Sequence, residues 1–112
     1  MPSPQGFAVE VSDQDTGAVR VQVRGELDMS AAPGLTEAIG KVDDGATVLL
    51  DLSGVTFLDS SAIGALVGCG RELAEGGGRL QIGPRSDIVK RVLEITGLAE
   101  PSDAFDVLPE DG

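Results

Sequence analysis

The sequence predicts a single domain of the α/β (α+β) class, in which a mixed β-sheet packs with α-helices. Three observations point to this class. Alternating apolar residues near the N-terminus indicate two strands joined by a short loop. Farther along, strand-like and helix-like segments follow one another in regular succession, as in crossover units. With 112 residues, the chain is long enough for one hydrophobic core but not for two.

The first segments predict a β-hairpin and then a helix. Apolar residues alternate with their neighbours over residues 7–11 and again over residues 19–24. Residues 13–17, Asp-Gln-Asp-Thr-Gly, have the composition of a loop between these two strands. Apolar residues then recur at helical spacing from residue 32 to residue 42, and Ser30 is the predicted N-cap of this helix.

The centre of the chain predicts a buried strand followed by a second helix. Residues 47–52 are almost continuously apolar, which is typical of a central strand that is covered on both faces. We therefore expect Val48, Leu49 and Leu50 to be buried. An apolar stripe over residues 63–73 predicts a helix that packs against this strand.

The next segments predict a short strand and a third helix. Residues 80–82 have strand character, and the Gly-Pro pair at residues 83 and 84 is expected to end the strand. Ser86 is the predicted N-cap of a helix whose apolar face runs over residues 88–95. Gly97 is expected to end this helix as its C-cap.

Composition excludes several classes of site and partner. The formal net charge of -11 argues against a nucleic-acid binder, because phosphate neutralisation requires clustered Lys and Arg. The absence of His excludes Ser-His-Asp and Cys-His catalysis within this chain. A single Cys cannot form an internal disulfide and fits a reducing compartment. The sequence also has no signal-peptide pattern and no membrane-length apolar run, so we expect a cytoplasmic protein. We expect neither a cofactor nor a bound metal.

Two acidic turns that carry hydroxyl groups follow predicted strands. Residues 26–30, Glu-Leu-Asp-Met-Ser, come after the second strand, and residues 59–61, Asp-Ser-Ser, come after the central strand. In open α/β sheets, functional groups gather beyond the carboxyl ends of the strands. We therefore expect both turns at the same edge of the sheet. By itself, Asp-Ser-Ser before an apolar helix is more typical of ordinary helix capping.

Three segments taken together resemble a known family. They are residues 25–28 (Gly-Glu-Leu-Asp), residues 51–61 (Asp-Leu-Ser-Gly-Val-Thr-Phe-Leu-Asp-Ser-Ser) and residues 95–98 (Ile-Thr-Gly-Leu). In this order they resemble the bacterial anti-sigma factor antagonists, which are single-domain STAS proteins. The resemblance implies one STAS domain over residues 1–112, with a core from about residue 7 to residue 107. We expect a last edge strand at residues 105–107, a short flexible N-terminus and an acidic C-terminal tail.

The resemblance implies a partner-switching mechanism that regulates transcription. The unmodified antagonist binds an anti-sigma factor, commonly also a serine kinase, and thereby releases a sigma factor. The kinase inactivates its antagonist by phosphorylating the hydroxyl residue directly after the motif's Asp, which is Ser60 here. A separate serine phosphatase reverses the step. The antagonist itself is not an enzyme.

The resemblance also implies the residues of the partner-binding surface: Asp28, Asp59, Ser60, Ser61 and Gly64. From the residues alone, Asp28 either faces a partner or caps the first helix, and Ser61 is the more structural of the two hydroxyls. Gly64 lacks a side chain and so permits close approach. The sequence departs from the family at Ala62, which stands where the family has Gly. Its methyl group could crowd the active site of a kinase.

Other functions fit the residues less well. A constitutive STAS subunit of a transporter or of a larger signalling scaffold is the main alternative. A nucleotide-binding regulatory domain ranks lower, because no glycine-rich phosphate loop with a Lys follows a strand. An enzyme that uses Cys69 ranks lower still, because no His is present to activate the thiol, and Cys69 fits a small core position.

Overall fold

In a computed structural model of the chain, one mixed β-sheet packs with α-helices, which confirms the predicted fold class. The structure describes residues 8–13, 18–43, 45–100 and 102–109. Phe7, most of the predicted hairpin loop and residues 110–112 of the acidic tail lie outside these ranges. In chain order the elements are β1 (Ala8–Asp13), β2 (Val19–Leu27), α1 (Ala32–Gly40), β3 (Thr47–Leu58), α2 (Ser60–Glu75), β4 (Arg79–Arg85), α3 (Asp87–Thr96) and β5 (Asp106–Val107).

The strands lie side by side in the order β1-β2-β3-β4-β5. β1 pairs with β2 in antiparallel orientation, whereas the other neighbouring strands are parallel. A parallel neighbour requires a crossover connection, and α1 and α2 lie in the connections that lead into and out of β3. β2, β3 and β4 therefore all end at one edge of the sheet, which we call the carboxyl edge.

The central strand β3 carries the middle of the hydrophobic core. Val48 and Leu50 are fully buried, as predicted. The prediction for Leu49 is wrong, because its side chain is only half-buried. Successive side chains of a strand point to opposite faces, so Leu49 lies on the other face from Leu50. There its cross-strand neighbours are the polar residues Arg20 and Gln81, and both are only partly buried.

The predicted end of β4 is also wrong. The strand passes through Gly83 and Pro84 and ends at Arg85. Ile82 and Arg85 pair with β3 residues that are only two positions apart, so Gly83 and Pro84 face Asp51 alone. This is a β-bulge, where the missing N–H of a proline is tolerated. The Gly-Pro pair therefore interrupts the register of the strand without ending it.

The third helix shows one confirmed cap and one wrong prediction. Gly97 is the C-cap of α3 and has φ 78°, a left-handed conformation that glycine adopts readily. Ser86 occupies the N-cap position, but its side chain makes no capping hydrogen bond. Within the described ranges its hydroxyl oxygen is buried without a partner, while its N–H donates to the carbonyl of Leu52 at 3.2 Å. The backbone of Ser86 thus joins α3 to the sheet.

The second helix packs against α1 and against the sheet, as the apolar stripe predicts. Leu66 and Leu73 are buried on its inner face. Gly70 lies so close to the carbonyl of Ala104 that a Cβ atom at this position would overlap it. In the part of the chain that the structure describes, no helix has the length and apolar character needed to cross a lipid bilayer.

Candidate functional site

The turn between β2 and α1 is organised by the carboxylate of Asp28. Its Oδ1 accepts hydrogen bonds from the N–H groups of Ser30 and Ala31 at 3.0 and 3.1 Å, and from the Ser30 hydroxyl at 2.7 Å. The Ser30 hydroxyl, the largest influence, lowers the pKa of Asp28, and the two backbone N–H groups act in the same direction. Asp28 is therefore an anionic group that holds its own turn together.

The predicted role of Ser30 as N-cap of the first helix is wrong. The N-cap position of α1 is Ala31, which has no side-chain cap. Asp28 instead bonds Ser30 and Ala31 within the turn that precedes the helix, and its carbonyl also accepts the N–H groups of Ala31 and Ala32. As N-cap, the Ser30 hydroxyl would have to accept the N–H of residue 32 or 33, but Ala32 donates to the carbonyl of Asp28 and Pro33 has no N–H.

The turn between β3 and α2 is capped by Asp59. This residue is extended, with φ -109° and ψ 179°, and its Oδ1 accepts the N–H of Ala62 at 3.0 Å. The Asp59 carbonyl accepts the N–H of Ile63 at 3.1 Å and so makes the first hydrogen bond of the helix. Asp59 is therefore a helix cap, as the capping interpretation of Asp-Ser-Ser predicts. The hydroxyls of Ser60 and Ser61 take no part in this cap.

The two turns adjoin at the carboxyl edge, as predicted. Leu27 and Leu58 are paired at the ends of β2 and β3, and the N–H of Asp59 donates to the carbonyl of Leu27 at 3.3 Å. The N–H of Met29 donates to Asp59 Oδ2 at 3.1 Å. One carboxylate therefore caps α2 with one oxygen and holds the neighbouring turn with the other.

The hydroxyl groups of Ser60 and Ser61 both face solvent. Both residues are exposed, and neither hydroxyl makes a hydrogen bond to any described residue. Ser61 was expected to satisfy an N-terminal N–H or to pack against the turn. Its hydroxyl makes no such bond among the described residues, and the N–H of Ala62 is accepted by Asp59 instead. Both hydroxyls are therefore accessible from solvent at the carboxyl edge.

Gly64 and Ala62 lie on different faces of the same helical turn. Gly64 is exposed, and a Cβ atom added there would meet nothing within 4 Å. Its missing side chain therefore leaves a low, open surface one turn after Ser60. Ala62 is fully buried. Its methyl group points into the core, so the expectation that it crowds a kinase by direct contact is not supported.

Three acidic side chains lie at the carboxyl edge, at the ends of β2 and β3. Glu26 is exposed, and Asp28 and Asp59 are partly so. Among the described residues, no ion pair involves any of these three acids. The ion pairs that do occur join basic side chains to acids elsewhere on the chain. A partner that docks at this edge therefore meets an uncompensated acidic surface.

A second cluster of Asp and Ser lies within β3. Asp51 is buried, with 2% of its surface exposed, and its Oδ1 accepts the N–H of Ser53 at 3.0 Å and the Ser53 hydroxyl at 2.7 Å. Its Oδ2 accepts a hydrogen bond from Arg20. Burial, the largest influence, acts to raise the pKa of Asp51, but the bonds from Ser53 and the charge of Arg20 outweigh it and lower the pKa.

Sequence analysis missed two apolar side chains beside the site. Met29 is 71% exposed and Phe57 is 47% exposed. Met29 belongs to the acidic turn after β2, and Phe57 stands two residues before Asp59. A signal was present in the sequence, because both large apolar residues lie directly among the acids and hydroxyls of the motif. Their exposure, however, could be read only from the structure.

Cys69 lies in the core, as expected. The thiol is buried next to the hydroxyl of Thr36, at 3.9 Å, and burial raises the pKa of Cys69. A thiol in this state is a poor nucleophile. Across the described ranges, no group of three or more Cys, Asp or Glu side chains is placed to hold a metal ion.

The sequence and the fold of this chain are similar to those of known proteins. The STAS domain model matches residues 9–109. An anti-sigma-B factor antagonist from Listeria monocytogenes is 33% identical over 96 residues, which cover 84% of each protein. An anti-sigma factor antagonist from Mycobacterium paratuberculosis has a similar crystal structure, with a TM-score of 0.79 and 32% identity over 97% of this chain and 91% of that one.

Two structures of the Bacillus antagonist SpoIIAA are also similar, at 25% identity over 92% of this chain. The unphosphorylated form gives a TM-score of 0.67 over 90% of its length, and the phosphorylated form gives 0.64 over 93%. The fold, the order of its elements and the sequence relatives agree with one another. The chain therefore belongs to the family of STAS domain proteins that includes the anti-sigma factor antagonists.

Proposed function

We propose that this protein is an anti-sigma factor antagonist that is switched by phosphorylation of Ser60. In its unmodified form it binds an anti-sigma factor at the carboxyl edge, and this binding releases a sigma factor for transcription. Asp28, Asp59, Ser60, Ser61 and Gly64 form the contact surface. The protein acts in the cytoplasm as a binding partner and catalyses no reaction. The names of its relatives support this proposal.

The observation that carries the proposal is the position of Ser60. It is the first residue of α2, its hydroxyl is exposed, and the acid before it already supplies the helix cap. The hydroxyl is therefore free to be modified without loss of a structural hydrogen bond. Backbone N–H groups at a helix start and the helix dipole also favour an anion. A phosphate on Ser60 is thus compatible with the folded domain.

The same phosphate would change the surface strongly. It adds a charge of about -1.5 to -2 next to Asp59, and the turn of Asp28 adjoins through the Met29 bond. A partner that docks here has to remove water from this enlarged cluster of negative charge. Because desolvation of unpaired charge is costly, binding weakens although the fold is retained.

The enzymes of the switch are separate proteins. The anti-sigma factor is itself the serine kinase that modifies Ser60, and a serine phosphatase restores the unmodified form. The main alternative is a constitutive STAS subunit of a transporter or scaffold. Its hydroxyls would remain unmodified, and this difference can be measured.

The test is mass spectrometry after incubation with ATP and each purified anti-sigma factor of the source organism. The wild type, Ser60→Ala and Ser61→Ala are compared as matched variants, because both hydroxyls are exposed on the same turn. We expect one phosphate on the wild type and on Ser61→Ala, and none on Ser60→Ala. Ser60→Ala should still bind the anti-sigma factor, whereas Ser60→Asp should fold normally and bind poorly.

Two results would contradict the proposal in different ways. Phosphate found on Ser61 alone would move the switch by one residue. No phosphate at either site, with the same kinase shown to modify another antagonist, would favour the constitutive subunit.

The role of Asp28 can be separated from its structural contribution. Asp28→Asn keeps an oxygen for the N–H groups of Ser30 and Ala31 but removes the charge, whereas Asp28→Ala removes both. We expect near-normal melting of Asp28→Asn together with slower association with the anti-sigma factor and a weaker salt dependence of that rate. Asp28→Ala should also melt at a lower temperature. Normal association of both variants would show that Asp28 only holds its turn.

A further inference from the structure

Large apolar side chains on the surface of this chain are not evenly distributed. Within the described residues the exposed ones are Val11, Met29, Phe57, Ile88 and Ile95. Two of them, Met29 and Phe57, lie beside Asp59, and we call this pair the apolar rim. Single exposed apolar residues are normal on a protein surface and require no explanation. Met29 and Phe57, however, both lie next to Asp59, the residue before Ser60, and so form a local feature of the site.

The position of the apolar rim is set by the backbone. The N–H of Met29 donates to Asp59 Oδ2, so this residue is held directly beside the cap of α2. Phe57 and Asp59 are two residues apart in extended chain, with the buried Leu58 between them. Side chains two apart in a strand share one face, so Phe57 stands on the same side as the Asp59 carboxylate.

The surroundings of the apolar rim are acidic. Glu26 is the cross-strand partner of Phe57 and is exposed, and Asp28 lies directly before Met29. None of these acids forms an ion pair within the described part of the chain. The apolar rim is thus a small apolar patch that is surrounded by polar side chains. A specific protein interface usually has this composition, with an apolar centre and a polar border. The complementary partner presents an apolar pocket that is bordered by Lys or Arg.

We infer that Met29 and Phe57 are the apolar anchors by which the anti-sigma factor binds this chain; this rests on the proposed function. Exposed Met and aromatic side chains are enriched where interfaces are formed, and a few such anchors carry most of the binding free energy. The inference also explains why a phosphate on Ser60 is effective. It would place a strongly hydrated group next to the contact from which water must be removed.

The experiment compares Met29→Ala and Phe57→Ala with the matched control Ile95→Ala. Ile95 is 74% exposed and lies in the last turn of α3, at the end of this helix that is remote from the carboxyl edge. Each purified anti-sigma factor of the source organism is titrated by calorimetry with the unphosphorylated proteins. We expect the dissociation constant to rise about tenfold or more for each variant of the apolar rim. The control should stay within about twofold of the wild type, as surface contacts outside an interface do.

Each outcome has a distinct meaning. If the wild type binds and both variants of the apolar rim bind as tightly, the inference is overturned while the proposed function stands. If the wild type binds none of the anti-sigma factors, the proposed function fails and the inference fails with it. Melting curves by far-UV circular dichroism accompany the titrations. Should Phe57→Ala melt early, Met29→Ala decides the question, because its side chain is mostly exposed.

Discussion

One cluster of Asp and Ser lies within β3 and another lies just after its end, and the two have different environments. Asp51 and Ser53 lie within β3, where the acid is buried, bonded to the Ser53 hydroxyl and paired with Arg20. Asp59 and Ser60 lie directly after the end of β3, where the acid caps a helix and the hydroxyl faces solvent. The residue types are the same, yet one cluster is used for the fold and the other is available to a partner.

The difference arises from what surrounds each position. Asp51 is buried, so its oxygens must be satisfied by the protein, and Ser53 and Arg20 supply the hydrogen bonds. Asp59 stands beyond the last paired residue of the strand, at a helix start where its Oδ1 accepts the N–H of Ala62 and where water can reach the turn. The Ser53 hydroxyl is bound to the buried Asp51, whereas the Ser60 hydroxyl beside the capping Asp59 makes no hydrogen bond to a described residue.

Stability should be most sensitive to substitution in the core of β3, the strand that carries the buried cluster. Leu50 is fully buried, so Leu50→Ala should reduce the free energy of unfolding by about 2–5 kcal/mol. Leu49→Ala is the matched control, because this side chain is only half-buried, and its loss should be clearly smaller. Urea unfolding followed by far-UV circular dichroism measures both values in a chain without Trp or Tyr. Equal losses in the two variants would contradict the assigned faces of β3.

The buried cluster should respond strongly to the loss of its charge. Asp51→Asn places an amide against Arg20 and should cost about 1–3 kcal/mol. Arg20 is 39% exposed and can regain water, which keeps the loss below that of a fully buried pair. Binding to the anti-sigma factor should not change, because Asp51 is remote from solvent. Weaker binding without loss of stability would contradict the structural role of this acid.

Acid pH should reveal the same interaction. The pKa of Asp51 is lowered in the fold, so the stability that its ionised form contributes is present above the unfolded pKa of about 3.9. This stability is lost as the pH falls through the folded pKa. The wild type should therefore lose stability below about pH 4 more steeply than Asp51→Asn. Parallel curves of stability against pH for the two proteins would argue against an ionised Asp51.

Substitution of the acid in the exposed cluster should reduce the free energy of unfolding less than substitution of Asp51. Asp59→Ala removes the cap of α2 and the bond to Met29, and it should cost about 0.5–2 kcal/mol. Asp59→Asn keeps an acceptor oxygen for the cap and is the matched variant. It should be closer to the wild type in stability. An Asp59→Ala protein as stable as the wild type would show that neither bond matters in solution.

The smallest expected changes in stability concern the hydroxyls of Ser53 and Ser60, and they compare the two clusters directly. Ser53→Ala removes a hydrogen bond to a buried carboxylate and should cost about 0.5–1.5 kcal/mol. Ser60→Ala removes no hydrogen bond within the described residues and should change stability by less than about 0.5 kcal/mol. Equal values for the two substitutions would abolish the contrast between the clusters.

Much of the fold followed from local patterns. The burial of Val48 and Leu50 was predicted from an unbroken apolar segment, and the left-handed cap at Gly97 from a glycine after an apolar stripe. The wrong predictions concern positions whose burial or pairing is set by the neighbouring strands. Leu49 was expected to be buried, and β4 was expected to end at Gly83 and Pro84, because neither the polar cross-strand neighbours nor the bulge are visible in a local pattern.

The candidate site divides in the same way. Local sequence patterns indicate that two acidic turns follow strands, that Asp59 stands at a helix start, and that the chain resembles a family with a switchable hydroxyl. The tertiary structure shows in addition that Asp59 joins both turns, that Asp28 binds Ser30, and that the methyl group of Ala62 faces the core. The physical reason is that charge, hydroxyl content and periodicity are properties of consecutive residues. Which groups lose water and which stay exposed depends on strands and helices that are distant in the chain.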